Sequence, residues 1–196
     1  MNNKVEISNV ANLPTEAGDF KIVCFKEYIT EHCIKEHLVA FTNKLKDTPL
    51  VRIHSECLTG DAFRSLKCDC GPELFYSLKE INKNENGGIL IYLRQEGRDI
   101  GLFNKVNAYS LQDNGLDTVD ANLALGLKAD AREYDIVKTI LEYFNVKEIE
   151  LLTNNPNKID WISKYVKIKR KQIIQGINDK NRDYINTKKN RMGHLF

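Results

Sequence analysis

No run of apolar residues in this 196-residue chain is long enough to cross a bilayer. The opening stretch, M-N-N-K-V-E-I-S, lacks the apolar core of a signal peptide, so a cytoplasmic protein is expected. Charge of one sign is missing as well. Lys and Arg total 29 against 27 Asp and Glu, and a net of +2 argues for neither a nucleic acid nor a membrane surface as partner. No internal repeat or low-complexity linker divides the chain, which points to one domain over residues 1–196. Cysteines number five, an odd count. In a reducing compartment, clustered thiols serve as metal ligands or catalysts before they serve as disulfides.

What is present is the profile of a soluble globular protein, 42% hydrophobic and 29% charged, long enough to bury a substantial core. Residues 5–14 read as a short apolar lead. Alternation predicts strands over 20–25, 37–42 and 50–54, with 26–36 as a charged loop carrying His32 and Cys33 at the surface. Cys24 reads as a buried small hydrophobe. In the third strand Val51 and Ile53 face one side, Arg52 and His54 the other. Pro72 starts a helix with Leu74, Leu78 and Ile81 on one face. The continuous apolar run 89–93 reads as a strand covered on both faces. Helices follow over 101–114, 120–126 and 136–144, then a strand over 148–153, a short helix over 159–165 and a last strand over 166–174. The basic stretch 164–191 reads as a solvated surface. Strands alternating with helices, and short β-β connections near 20–54, give an α/β layered fold with a mixed β-sheet flanked by helices.

Residues 52–71 concentrate chemistry-bearing side chains: R-I-H-S-E-C-L-T-G-D-A-F-R-S-L-K-C-D-C-G. Cys57, Cys68 and Cys70 can reach one ion, and zinc suits clustered thiolates. Three alternatives stay open on spacing alone. The site is open, with water as the fourth ligand; or closed and structural, with His54 as the fourth; or the thiols bind nothing. Three thiolates leave a zinc ion formally anionic, so its water needs a helper group nearby. Glu96, Gly97 and Arg98 follow the carboxyl end of a buried strand, the usual place for a site in α/β proteins, although on these residues alone a plain polar turn is the favoured reading. Thr153, Asn154, Asn155 and Lys158 form either an ordinary helix cap or a phosphate contact.

Taken together these residues resemble the GTP cyclohydrolase II family. The resemblance rests on R-I-H-S-E-C-L-T-G-D, C-D-C-G, R-Q-E-G-R-x-I-G-L-x-N-K, A-Y-x-L-Q-D, D-T-V-x-A-N, L-L-T-N-N-P-x-K and K-x-x-x-M-G-H-L, in that order over nearly the whole chain. It implies a riboflavin-biosynthesis enzyme that opens the imidazole ring of GTP, releases formate and pyrophosphate, and works as a homodimer. The implied zinc ligands are Cys57, Cys68 and Cys70, with water in the fourth position. The implied GTP contacts are Arg52, Ile53, His54, Ser55, Glu56, Glu73, Glu96, Gly97, Arg98, Thr118, Thr153 and Lys158, with Mg²⁺ on the triphosphate. Asp130 is implied as general base, Arg132 as nucleophile on the α-phosphate or as a plain electrostatic group, and Tyr109 as a neighbour of the zinc chemistry. Glu73 departs from the family, which often has Gln there; a carboxylate still accepts from guanine N1 and N2. The dihydroxybutanone-phosphate synthase domain fused to some relatives is expected to be absent. Rival readings are a zinc- and GTP-binding module without turnover, and a cyclohydrolase that stops after ring opening.

Overall fold

The computed structural model describes residues 3–196. It begins with an antiparallel unit. Strands β1 (Lys4–Ile7) and β2 (Ala11–Thr15) both pair with the long β3 (Gly18–Tyr28), which pairs in turn with β4 (Ile34–Phe41). Pro14 falls in β2, where an edge strand tolerates its missing N–H. The two apolar runs then become β5 (Leu50–Ser55) and β6 (Gly88–Leu93), parallel neighbours at the centre of the sheet. With β7 (Glu148–Leu152) and β8 (Lys167–Lys171) the order is β1-β3-β4-β6-β5-β7-β8, so an antiparallel half joins a parallel half at β4–β6. The α/β layered fold with a mixed sheet is therefore the observed one.

The helices are α1 (Leu58–Asp61), α2 (Cys70–Lys83), α3 (Glu96–Asp99), α4 (Gly101–Asp113), α5 (Thr118–Ala124), α6 (Asp135–Tyr143), α7 (Pro156–Ile162) and α8 (Arg182–Met192). Period-two alternation divides the core between the faces of the sheet. Val51, Ile53, Ile89 and Ile91 meet Ile136, Val137, Ile140 and Leu141 of α6 on one face. Leu50 and Leu90 meet Ile81 of α2 on the other, with Leu74 and Leu78 packed around them. Each fully buried Ile or Leu contributes about 1.5–3 kcal/mol by leaving water, and the cysteines of residues 57–70 belong to neither cluster.

Several boundaries differ from the sequence reading. The loop expected over 26–36 is confined to 29–33: β3 runs on to Tyr28 and β4 starts at Ile34. The inward positions there are polar, which hides the alternation. Glu27 and His37 are both buried and pair with each other, Nε2 to Oε2, at 3.2 Å. Residues 5–14 form two strands rather than a lead. Cys24 is half-buried rather than buried, while Cys33 and His32 are exposed as expected. The seventh helix starts earlier than its apolar pattern, because the Asn155 side chain accepts from the N–H of Asn157 and Pro156 fits the first turn. The basic stretch contains α8, which has too few apolar residues to announce itself.

Candidate active site

The three central parallel strands end at one place. Ser55 ends β5 and Glu56 and Cys57 follow it, Arg94 to Arg98 follow β6, and Thr153 to Lys158 follow β7. A cleft outside the carboxyl ends of parallel strands is where α/β sheets bind ligands. Helix α4 supplies a wall, turning Lys105, Ala108, Tyr109 and Gln112 inward at positions i, i+3, i+4 and i+7. Helix α8 supplies another through Tyr184 and Lys188, and His194 follows it.

The thiols of Cys57, Cys68 and Cys70 lie within 4.8 Å of one another, and they are the only such group of ligand atoms among the described residues. Cys57 Sγ is 3.7 Å from Cys68 Sγ. Sulfurs held about 2.3 Å from a tetrahedral ion stand about 3.8 Å apart, so this spacing fits an ion. Gly60 makes the packing possible, since a Cβ there would fall 2.7 Å from Cys68 Sγ and 3.0 Å from Cys57 Sγ. Hydrogen bonds from Cys68 and Cys70 pull Cys57 far below the usual thiol range. The same contact with Cys57 pushes Cys68 up to about 12 and Cys70 well above its ordinary value. One thiolate shared among three sulfurs is the arrangement a metal ion would replace.

His54 is not part of this cluster. Its Nε2 lies 3.1 Å from each oxygen of Asp61, and its ring stacks on Tyr92. Asp61 also accepts from the Cys57 backbone N–H at 3.0 Å and from the Tyr92 hydroxyl at 2.8 Å, so it fixes the start of the thiol loop. Burial outweighs Asp61 and holds His54 below the ordinary histidine value.

Cations converge on the rest of the cleft. Arg52 pairs with Glu73 at 2.5 Å, Arg132 with Asp130 through two bonds of 2.9 and 2.5 Å, and Lys188 with Asp69 at 2.7 and 2.8 Å. Arg98 and Lys158 have no carboxylate among the described residues. Arg98 donates to the Ala129 carbonyl at 3.3 Å and Lys158 to the Ile53 carbonyl at 2.7 Å. Arg98 Nη2 and Arg52 Nε are buried without any acceptor. Burial, then Arg52 and Arg132, push Lys158 well below the ordinary lysine value. Burial works against the charge on Arg132 too, but Tyr134 and Asp130 outweigh it and raise its proton affinity.

The turn that aims Arg98 is unusual. Gly97, Arg98 and Asp99 have φ of 63°, 62° and 71°, three left-handed residues in succession. Each non-glycine residue there costs about 1–3 kcal/mol unless its surroundings hold it. Lys35 on β4 does so, gripping both Asp99 oxygens at 2.6 and 2.7 Å. His37 Nδ1, also on β4, accepts from the Arg94 N–H at 3.1 Å. Glu96 accepts from the Leu58 N–H at 2.6 Å, the Gly97 N–H at 2.7 Å and Lys105 at 2.7 Å.

Of the residues singled out in the sequence, most line this cleft: Arg52, His54, Ser55, Glu56, the three cysteines, Glu73, Glu96, Gly97, Arg98, Tyr109, Thr118, Arg132, Thr153 and Lys158. Ile53 does not; its side chain is in the core and only its carbonyl serves the site. Asp130 does not line the cleft either, but holds Arg132 from behind. Asn154 and Asn155 line it too, and residues not singled out include Lys105, Tyr184, Lys188 and His194. All but Tyr184 lie inside the quoted motifs, so the motifs carried the signal although the residue types did not.

A family model described as GTP cyclohydrolase II matches residues 6–171. The protein named GTP cyclohydrolase-2 from Helicobacter hepaticus is 55% identical over 98% of this chain and 100% of its own length. The protein of that name from Helicobacter pylori strain Shi470 is 54% identical over 98% of this chain and 99% of its own. The one from Campylobacter hominis is 56% identical over 98% of this chain and 96% of its own.

Proposed function

The chain belongs to the GTP cyclohydrolase II family and is an enzyme of that type, and on that premise we propose that it hydrolyses GTP as the first committed step of riboflavin biosynthesis. The products are formate from C8 of guanine, pyrophosphate, and a diaminopyrimidinone carrying phosphoribosyl-amine. The observation that carries the reading is the pairing, in one cleft, of a three-thiol cluster with the half-buried Arg98 and the buried Lys158, two basic side chains without a carboxylate partner among the described residues. A purine triphosphate needs both.

Cys57, Cys68 and Cys70 would hold one Zn²⁺ per subunit, which when bound supplies an activated water for addition at C8. Burial raises Tyr109 to about 12, so at neutral pH it keeps its proton and offers an O–H beside the thiols. Arg52 occupies one oxygen of Glu73 and leaves the other to accept from guanine N1 and N2. Arg98, Lys158 and Thr153 take the triphosphate together with Mg²⁺, and Thr118 closes the same wall. Arg132, whose raised proton affinity keeps it a guanidinium, serves the α-phosphate by charge, and Asp130 orients it. Ile53, His54, Ser55 and Glu56 shape the nucleotide end around the start of the thiol loop. No helix among the described residues is long and apolar enough to cross a membrane, in keeping with a cytoplasmic enzyme. Phe103 and Val106, one turn apart on the outer side of α4, are 80% and 54% exposed, and covering them is a reason for a homodimer.

The test is one incubation of purified protein with GTP, Zn²⁺ and Mg²⁺, followed by formate, pyrophosphate and product mass. Formate and pyrophosphate in equal amounts are expected. No formate from a zinc-loaded protein would sink the reading, and formate without pyrophosphate would reduce it to ring opening alone.

A further inference from the structure

Lys105 is a buried lysine on the inner side of α4, and the function above gives it no task. Its Nζ lies 3.1 Å from Cys57 Sγ and 2.7 Å from Glu96 Oε1. The Tyr109 ring centroid is 5.7 Å away. A buried ammonium carries a desolvation penalty of several kcal/mol, so it needs more than one good acceptor. Glu96 is not free to be a full partner, because its oxygens also accept the N–H groups of Leu58 and Gly97. The second acceptor is therefore a sulfur, one of the three proposed to hold the metal.

We infer that Lys105 is the resident counter-charge of the metal site: its ammonium holds Cys57 in place as a ligand and offsets the excess negative charge of a tris-thiolate centre. The inference rests on the reading of Cys57, Cys68 and Cys70 as metal ligands. Three thiolates around a divalent cation leave one negative charge, and one ammonium cancels it. A thiolate that accepts an N–H bond also gives less charge to its metal, which stays a stronger Lewis acid. This is the helper group that a three-thiolate zinc calls for. Because the same ammonium grips Glu96, the thiol cluster and the Glu96–Asp99 turn share one anchor. Lys105 is a positioning residue in this scheme, acting through Cys57.

The experiment compares wild type, Lys105→Met and Lys105→Arg. Each is stripped of metal and titrated with Zn²⁺ against a chelating dye. Each is then loaded with Co²⁺, and its thiolate-to-cobalt absorption is recorded. Lys105→Met should bind Zn²⁺ about 10–100-fold more weakly, the usual cost of losing a group that supports a metal ligand. Its cobalt band should move to longer wavelength, because an unbonded thiolate donates more. Lys105→Arg should recover most of both. Zinc affinity and a cobalt band unchanged in Lys105→Met would overturn the inference. Should Lys105→Met fail to fold by circular dichroism, Lys105→Gln, which keeps a donor without the charge, takes its place. A wild type that binds no Zn²⁺ would defeat the metal reading itself, a result distinct from failure of the Lys105 inference.

Discussion

His194 comes from beyond α8 into the cleft, and there it is kept neutral. Burial, then Lys188, Arg132 and Lys158, bring its pKa from 6.5 down to about 3. His54 is lowered as well, by burial first and then by Arg52 and Lys158 against the pull of Asp61. A histidine lowered on folding takes up its proton in the unfolded chain first. Its stabilising effect is thus complete above about pH 6.5 and is lost as pH falls toward the folded value. Urea midpoints should therefore decline from about pH 6.5 downward, and His194→Asn should flatten that decline; an unaltered slope would assign it elsewhere. None of this was visible in sequence, where the histidine shared a motif with Lys188 but its other two cationic neighbours, Arg132 and Lys158, come from distant segments. The thiols were the opposite case. Three cysteines close together in the chain announce a cluster whatever the fold does around them, and only the status of His54 needed coordinates.

Among the elements, α8 has Ile185 as its buried apolar residue and is otherwise tied down by polar contacts. Lys188 reaches Asp69, which is 1% exposed and lies between two of the three cysteines. Arg191 reaches Asp117 and Asp120, the N-cap and first turn of α5. Leu195 N–H donates to the Asn154 carbonyl at 2.8 Å. Removing one partner of a buried ion pair leaves a bare charge, so Lys188→Met should cost about 3–5 kcal/mol of stability. Adding Asp69→Asn should return much of that loss in a double-mutant cycle by urea denaturation. Additive losses would show that the pair is not what holds the helix. The same physics explains why α8 was illegible. Apolar periodicity finds helices that pack by the hydrophobic effect, and α6, with Ile136, Val137, Ile140 and Leu141 on one side, was plain. A helix docked by lysine and arginine looks like solvated surface until its carboxylates are located. The ends of β3 and β4 were hidden by the same substitution of charge for apolarity, through Glu27 and His37.

For the molecule as a whole, the two core clusters lie on the faces of the sheet and leave the three cysteines outside. Chelation should therefore abolish formate release while lowering the melting temperature by only a few degrees. Collapse on chelation, followed by calorimetry, would show the metal to be structural too. The fold class was legible because strands and helices alternate along the chain. The division of the sheet was not, since nothing local says that β4 borders β6. That border has a consequence for how separable the parts are. The antiparallel half lends no side chain to the cleft, yet Lys35 and His37 brace the left-handed Arg98 turn from it. A chimera that replaced β1–β4 with an equally well-packed antiparallel sheet would keep every residue of the cleft and still lose the posture of one of them. The scaffold and the catalyst are thus not modules that can be exchanged independently, and substitutions in β4 will be felt first as changes in turnover.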